Sequence, residues 1–146
     1  MKPGGARSKG QEGEREVIRL LAPIVEEVCG QESTLSRNLN QTREGGHDIV
    51  GLDWLAIEVK RQETLDVENW WRQTLRQAGD KREPVLIYRQ NRKSWHVVMW
   101  AKVGEHRCRA TISLQDFQDW FRLTLKTMSR MDENGVFQGF LDKSIG

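Results

Sequence analysis

His47-Asp48-Ile49-Val50-Gly51-Leu52-Asp53-Trp54-Leu55-Ala56-Ile57-Glu58-Val59-Lys60 is the stretch that decides the fold. Its pattern reads as a β-hairpin. One strand begins at an acid, the chain turns near Gly51–Asp53, and the second strand runs from Trp54 to Arg61. In that second strand Leu55, Ile57 and Val59 alternate with Ala56, Glu58 and Lys60, so the two sets project from opposite faces. Glu58 and Lys60 share a face, one pleat repeat apart. Asp48, at the start of the partner strand, can reach the same spot. Two carboxylates and an ammonium converging at one end of a hairpin form a candidate site for a divalent cation and an activated water. A solvated strand face with a cross-face ion pair, worth about 0.2–1 kcal/mol, is the plainer reading of the same residues.

Composition sets the frame around this hairpin. A chain of 146 residues, 37% hydrophobic and 30% charged, is one domain with enough apolar material for a core. No apolar run approaches the roughly 18–20 residues of a membrane span, and the N-terminus carries no apolar segment of signal-peptide type. Cys29 and Cys108 stand alone, without CxxC or histidine spacing. They read as reduced thiols of a cytoplasmic protein rather than a zinc site or a bridge. The net charge of +2 says little, but the basic residues are clustered. Lys2, Arg7 and Lys9 lie in a glycine-rich arm, residues 1–10. Arg72, Arg76, Lys81 and Arg82 form a second group, and Arg89, Arg92 and Lys93 a third. Such clusters suit phosphate contacts, although a solvated surface explains many of the individual residues. Arg37, Asn40 and Arg43 line the approach to the hairpin.

The remaining elements follow from periodicity. A helix is expected from about Gln11 to Cys29, kinked or restarted at Pro23. A strand is expected over Ser33–Leu39, then a polar loop, Gln41–His47. Thr64 or Asp66 can cap a helix over Val67–Ala78 that Gly79 ends. In that helix Val67, Trp71, Thr74, Leu75 and Ala78 lie on one side, and Gln73 and Gln77 share another stripe with Trp70. Strands follow at Val85–Tyr88 and Trp95–Val103, giving the order α-β-β-β-α-β-β. The tail adds a strand at Ala110–Ser113 and a helix from about Leu114 to Met131. Its stripe of Phe117, Trp120, Phe121, Leu125 and Met128 is either docked on the core or a dimer contact. Six tryptophans are many for this length. Trp71, Trp100 and Trp120 fit apolar stripes, whereas an exposed Trp54, Trp70 or Trp95 could stack on an unpaired base.

The Asp48…Glu58-x-Lys60 spacing resembles the signature of the PD-(D/E)XK nucleases, with His47 where that pattern carries proline. A second segment, Lys9-Gly10-Gln11-Glu12-Gly13-Glu14-Arg15-Glu16-Val17-Ile18-Arg19-Leu20-Leu21, resembles the first helix of the archaeal-type Holliday junction resolvases. Those chains open with a basic-glycine approach and a Glu-Arg-Glu-hydrophobic run whose first acid belongs to the active site, here Glu14. Helical spacing supports the transfer independently. Glu14 shares a face with Val17, Ile18, Leu21 and Val25, where a carboxylate is costly without a partner. Helix-dipole complementation would serve Glu12, Glu14 and Glu16 alike.

The resemblance implies an α/β, restriction-endonuclease-like core over residues 11–103. Its mixed central sheet is flanked by helices, with a C-terminal extension over 104–146. It implies a Mg2+-dependent endodeoxyribonuclease, with Mn2+ as a substitute, acting on a four-way junction or other branched DNA as a homodimer. Asp48, Glu58 and the carbonyl of Val59 would hold the metal. Lys60 would orient the attacking water, Glu14 would act beside them, and Gln77 or Gln73 would enter from the following helix. Ser36 and Arg37 would lie near the scissile phosphate, with Lys9, Arg43, Arg72 and Arg76 on the DNA. A less selective repair or phage nuclease and a non-catalytic DNA-binding module on the same scaffold are the competing readings.

Overall fold

A computed structural model describes residues 5–39 and 48–133, with side chains described for 9–39 and 48–129. Its elements run α1 (Gly5–Cys29), β1 (Ser36–Arg37), β2 (Ile49–Val50), β3 (Leu55–Arg61), α2 (Val67–Ala78), β4 (Glu83–Arg89), β5 (His96–Val103), β6 (His106–Ser113) and α3 (Leu114–Glu133). The six strands form one sheet in the order β1-β2-β3-β4-β5-β6. Only β3 and β4 pair in parallel, joined through α2, and the other neighbours are antiparallel. This is the mixed α/β, restriction-endonuclease-like architecture.

Alternation along β3 divides the interior into two layers. Leu55, Ile57 and Val59 join Val17 and Leu21 of α1 and Phe117, Phe121 and Leu125 of α3 in the larger core. On the opposite face Trp70 and Trp71 of α2 pack against Leu86 and Val98. The hairpin turn depends on Gly51, which has φ +118°; a Cβ there would stand 2.7 Å from the Thr34 carbonyl oxygen. Only glycine lets β2 turn into β3 against that backbone.

Several expectations are corrected. Helix α1 begins at Gly5 and runs through Pro23 without ending, so residues 5–10 are helical. Strand β1 is two residues long because only Ser36 and Arg37 find partners on β2. Strand β6 is eight residues, since its whole length pairs with β5. Trp70 is buried beside Trp71, so α2 presents a broader apolar face than a single stripe. Trp54 and Trp95 are buried in the larger core, and packing rather than base stacking accounts for them. The α3 stripe docks on the core: Phe117, Phe121, Leu125 and Met128 are all buried. It is therefore not free to serve as a dimer contact. Cys29 and Cys108 are exposed free thiols. Among the described residues no helix is long and apolar enough to cross a membrane.

Candidate active site

Strand β3 carries Glu58 between apolar neighbours, and the fold seals it completely: its exposure is 0%. Among the described residues no N–H donor reaches either carboxylate oxygen, and its side-chain hydrogen-bond neighbour is the carboxyl of Asp48. A buried carboxylate without donors is expensive to ionise. Burial, then the neighbouring charge of Asp48, pushes the Glu58 pKa up to about 9, partly offset by Lys60. Asp48 sits at the mouth of β2, itself buried. Its main-chain N–H donates to the Ile57 carbonyl and its own carbonyl accepts from Asn38 N–H, each at 2.9 Å. Its Oδ2 accepts the Val59 N–H at 2.7 Å. Asp48 therefore caps the edge of β3 just where β2 begins. The amide and carbonyl of one strand residue leave on the same edge, so the Val59 carbonyl lies on this edge too.

Glu14 reaches the same place from α1. Its Oε1 accepts from Arg37 Nε at 2.8 Å. Burial raises its pKa above the ordinary value; the hydrogen bond from Arg37 opposes this, and the charge of Asp48 adds to the rise. The charge of Glu14 in turn acts on Glu58. Glu14, Asp48, Glu58 and Lys60 thus form one electrostatic cluster, with Arg37 as its inner cation. Lys60 is half-buried and makes no ion pair among the described residues.

The other expected residues divide. Arg37 is held by Glu14 rather than turned outward. Ser36 is exposed on β1. Lys9 lies 3.3 Å from Glu63 Oε1, which ties α1 to the segment after β3. Arg72 and Arg76 are exposed on α2, with Arg72 donating to Asn69 Oδ1 at 3.1 Å. Gln73 and Gln77 are half-buried on α2, and neither hydrogen-bonds to Glu58. Asn40, Arg43 and His47 lie outside the described residues. Sequence reasoning passed over Gly13, where a Cβ would come within 3.2 Å of Arg61 Cβ. A glycine one residue before a core-facing acid was the available signal for this close approach.

The donor set fits a hard divalent cation. Two buried carboxylates converge, one of them with no N–H donor on either oxygen among the described residues, and a main-chain carbonyl lies on the same edge. Among the described residues no three His, Cys, Asp or Glu side chains gather into a metal cage.

A family model described as "Phage putative PDDEXK endonuclease" matches residues 5–138. The chain belongs to this family. Among solved structures it is similar to Hjc of Archaeoglobus fulgidus, a Holliday junction resolvase from an archaeal hyperthermophile. The identity is 19% and the TM-score 0.47, over 76% of this chain and 96% of that one. No curated protein matches. Membership makes the chain an endonuclease of the PD-(D/E)XK class.

Proposed function

We propose that this endonuclease is a metal-dependent, structure-selective DNA nuclease whose substrate is a four-way junction. The observation that carries the chemistry is the Asp48–Glu58 pair, whose buried Glu58 oxygens take no N–H donor among the described residues. Asp48, Glu58 and the Val59 carbonyl would hold Mg2+, or Mn2+ in its place. When bound, such an ion neutralises phosphate charge and acidifies a water. Lys60 would orient the attacking water and offset charge developing on the phosphate oxygens. Glu14, held by Arg37, places a further carboxylate beside the pair. The junction as substrate is supported by the Glu14-Arg15-Glu16 run and its basic-glycine approach. Two symmetric cuts would require a homodimer, built on a surface other than the docked stripe of α3. The protein would act in the cytoplasm of a prokaryotic or phage-infected cell. The family's phage description favours a second reading, a less selective nuclease with the same site.

A gel assay on a synthetic four-way junction, a matching duplex and a single strand, with Mg2+ or with EDTA, separates these readings. Symmetric Mg2+-dependent nicking of the junction alone is expected. Cutting of all three would keep the site and discard the junction. Binding without cutting would return the protein to the class of DNA-binding modules. In the same assay Lys60→Ala should lower the single-turnover rate about 100-fold while metal affinity changes little. An unchanged rate would remove Lys60 from the chemistry.

A further inference from the structure

Glu16 is a half-buried acid of α1 that the proposed chemistry leaves unused. Both its oxygens are engaged from the sheet. Arg89 donates from Nη2 to Oε1 at 3.0 Å, and Trp95 donates from Nε1 to Oε2 at 3.0 Å. The Arg89 guanidinium also lies 5.1 Å from the centre of the Trp95 ring. Arg89 ends β4 and Trp95 precedes β5, so these contacts reach a part of the sheet remote from β1 and β2. Beneath the helix Gly13 rests on the sheet; a Cβ there would meet Arg61 Cβ at 3.2 Å, Val59 Cγ1 at 3.5 Å and the Trp95 ring at 3.6 Å. Val17, one turn on, is fully buried.

Glu14 and Glu16 are two residues apart, about 200° around the helix. They flank the line of contact that Gly13 and Val17 make with the sheet. Gly13 offers no side chain to resist rolling of α1 about its axis. A roll of about 10° would move a carboxylate ~6 Å from that axis by about 1 Å. Misplacement of that size costs about 100-fold in rate when it falls on a reacting group. Glu16, gripped on one flank, fixes the roll and hence the place of Glu14 on the other.

We propose that Glu16, held by Arg89 and Trp95, is a positioning residue that sets the rotation of α1 and so delivers Glu14 to Arg37 and the Asp48–Glu58 pair. Its effect on turnover rests on the nuclease reading, but its geometry does not.

The test is a mutant cycle read by melting temperature in EDTA. Glu14→Gln, Arg37→Gln and their double give the coupling across that ion pair. It is expected at about 2–4 °C in the otherwise wild-type protein and below about 1 °C when Glu16→Gln or Trp95→Phe is added. Trp95→Phe keeps an aromatic ring in the core while removing the Nε1 donor together with part of the indole under Gly13, so it serves as the second variant if Glu16→Gln folds poorly. The same coupling in every background would overturn the proposal. A second arm measures single-turnover cleavage, where both variants should lose about 10–100-fold with unchanged DNA affinity in Ca2+. A wild-type protein that cuts no DNA in Mg2+ or Mn2+ would sink the nuclease reading, while the melting cycle still decides the role of Glu16. Wild-type cutting with undiminished cleavage by Glu16→Gln would sink the positioning role alone.

Discussion

Replacing Glu58 by glutamine is expected to abolish cleavage and, at the same time, to stabilise the metal-free protein. The two effects share one cause. Glu58 is fully buried, with no N–H donor on its oxygens among the described residues, so its charge would be useful to a bound cation. Glutamine has nearly the same shape and is neutral without taking up a proton. Loss of a metal ligand forfeits several kcal/mol of charge stabilisation, on the order of 1,000-fold or more in rate. The stability gain follows from the proton. In the folded protein the Glu58 carboxyl titrates near 9, whereas in an unfolded chain it titrates at about 4.3. Between those values the folded state holds a proton that the unfolded state has released. Stability of the metal-free protein must therefore fall as pH rises from about 5 to about 9. Below that window both states are protonated and the dependence vanishes. A cation that binds the ionised pair displaces the proton, so apparent metal affinity should rise over the same window. Glu58→Gln should flatten the pH profile of the melting temperature in EDTA and raise it by about 10 °C near pH 8. A wild-type profile that is flat from pH 5 to 9, or one that the variant merely parallels, would refute the assigned burial of charge.

Period-two alternation along β3 was legible in the sequence. Glu58 and Lys60 had to share a face once β3 was recognised, and Asp48 had to stand at the mouth of the facing strand. The i, i+3, i+4 spacing likewise placed Glu14 toward the interior. What stayed illegible depends on contacts distant in sequence. Nothing near Arg37 states that its guanidinium turns inward to Glu14, because that pairing spans α1 and β1. The shortness of β1 reflects how little of β2 is present to receive it, which no local propensity records. Trp70 looked peripheral on a helical wheel, yet the twelve residues of α2 cover two neighbouring strands and bury it. Glu16 read as one of three interchangeable acids until Arg89 and Trp95 were brought to it from the far side of the chain.

Helix α3 was open to two readings from sequence, and they make opposite predictions for Phe121→Ala. Phe121 is fully buried. Its ring stacks on Trp54, with centroids 6.3 Å apart, and on Phe117, with centroids 5.9 Å apart. Trp120 lies 5.9 Å from Trp54 in the same cluster. Removing the ring from such packing leaves a cavity that the neighbours fill only partly, at a cost of about 3–5 kcal/mol. The melting temperature should therefore fall by about 10 °C, and by the same amount at every protein concentration. Leu123, on the outer face of the helix and 64% exposed, provides the contrast: Leu123→Ala should leave the midpoint unchanged. Were the stripe a dimer contact instead, Phe121→Ala would yield a folded monomer with a concentration-dependent loss of association. The consequence reaches the active site because α3 packs beside α1 in the same core, and α1 carries Glu14. Phe121→Ala should thus lower cleavage even at temperatures where the protein remains folded, by loosening the support of that helix. Leu123→Ala should not. Wild-type stability in the phenylalanine variant would mean that α3 does not complete the core.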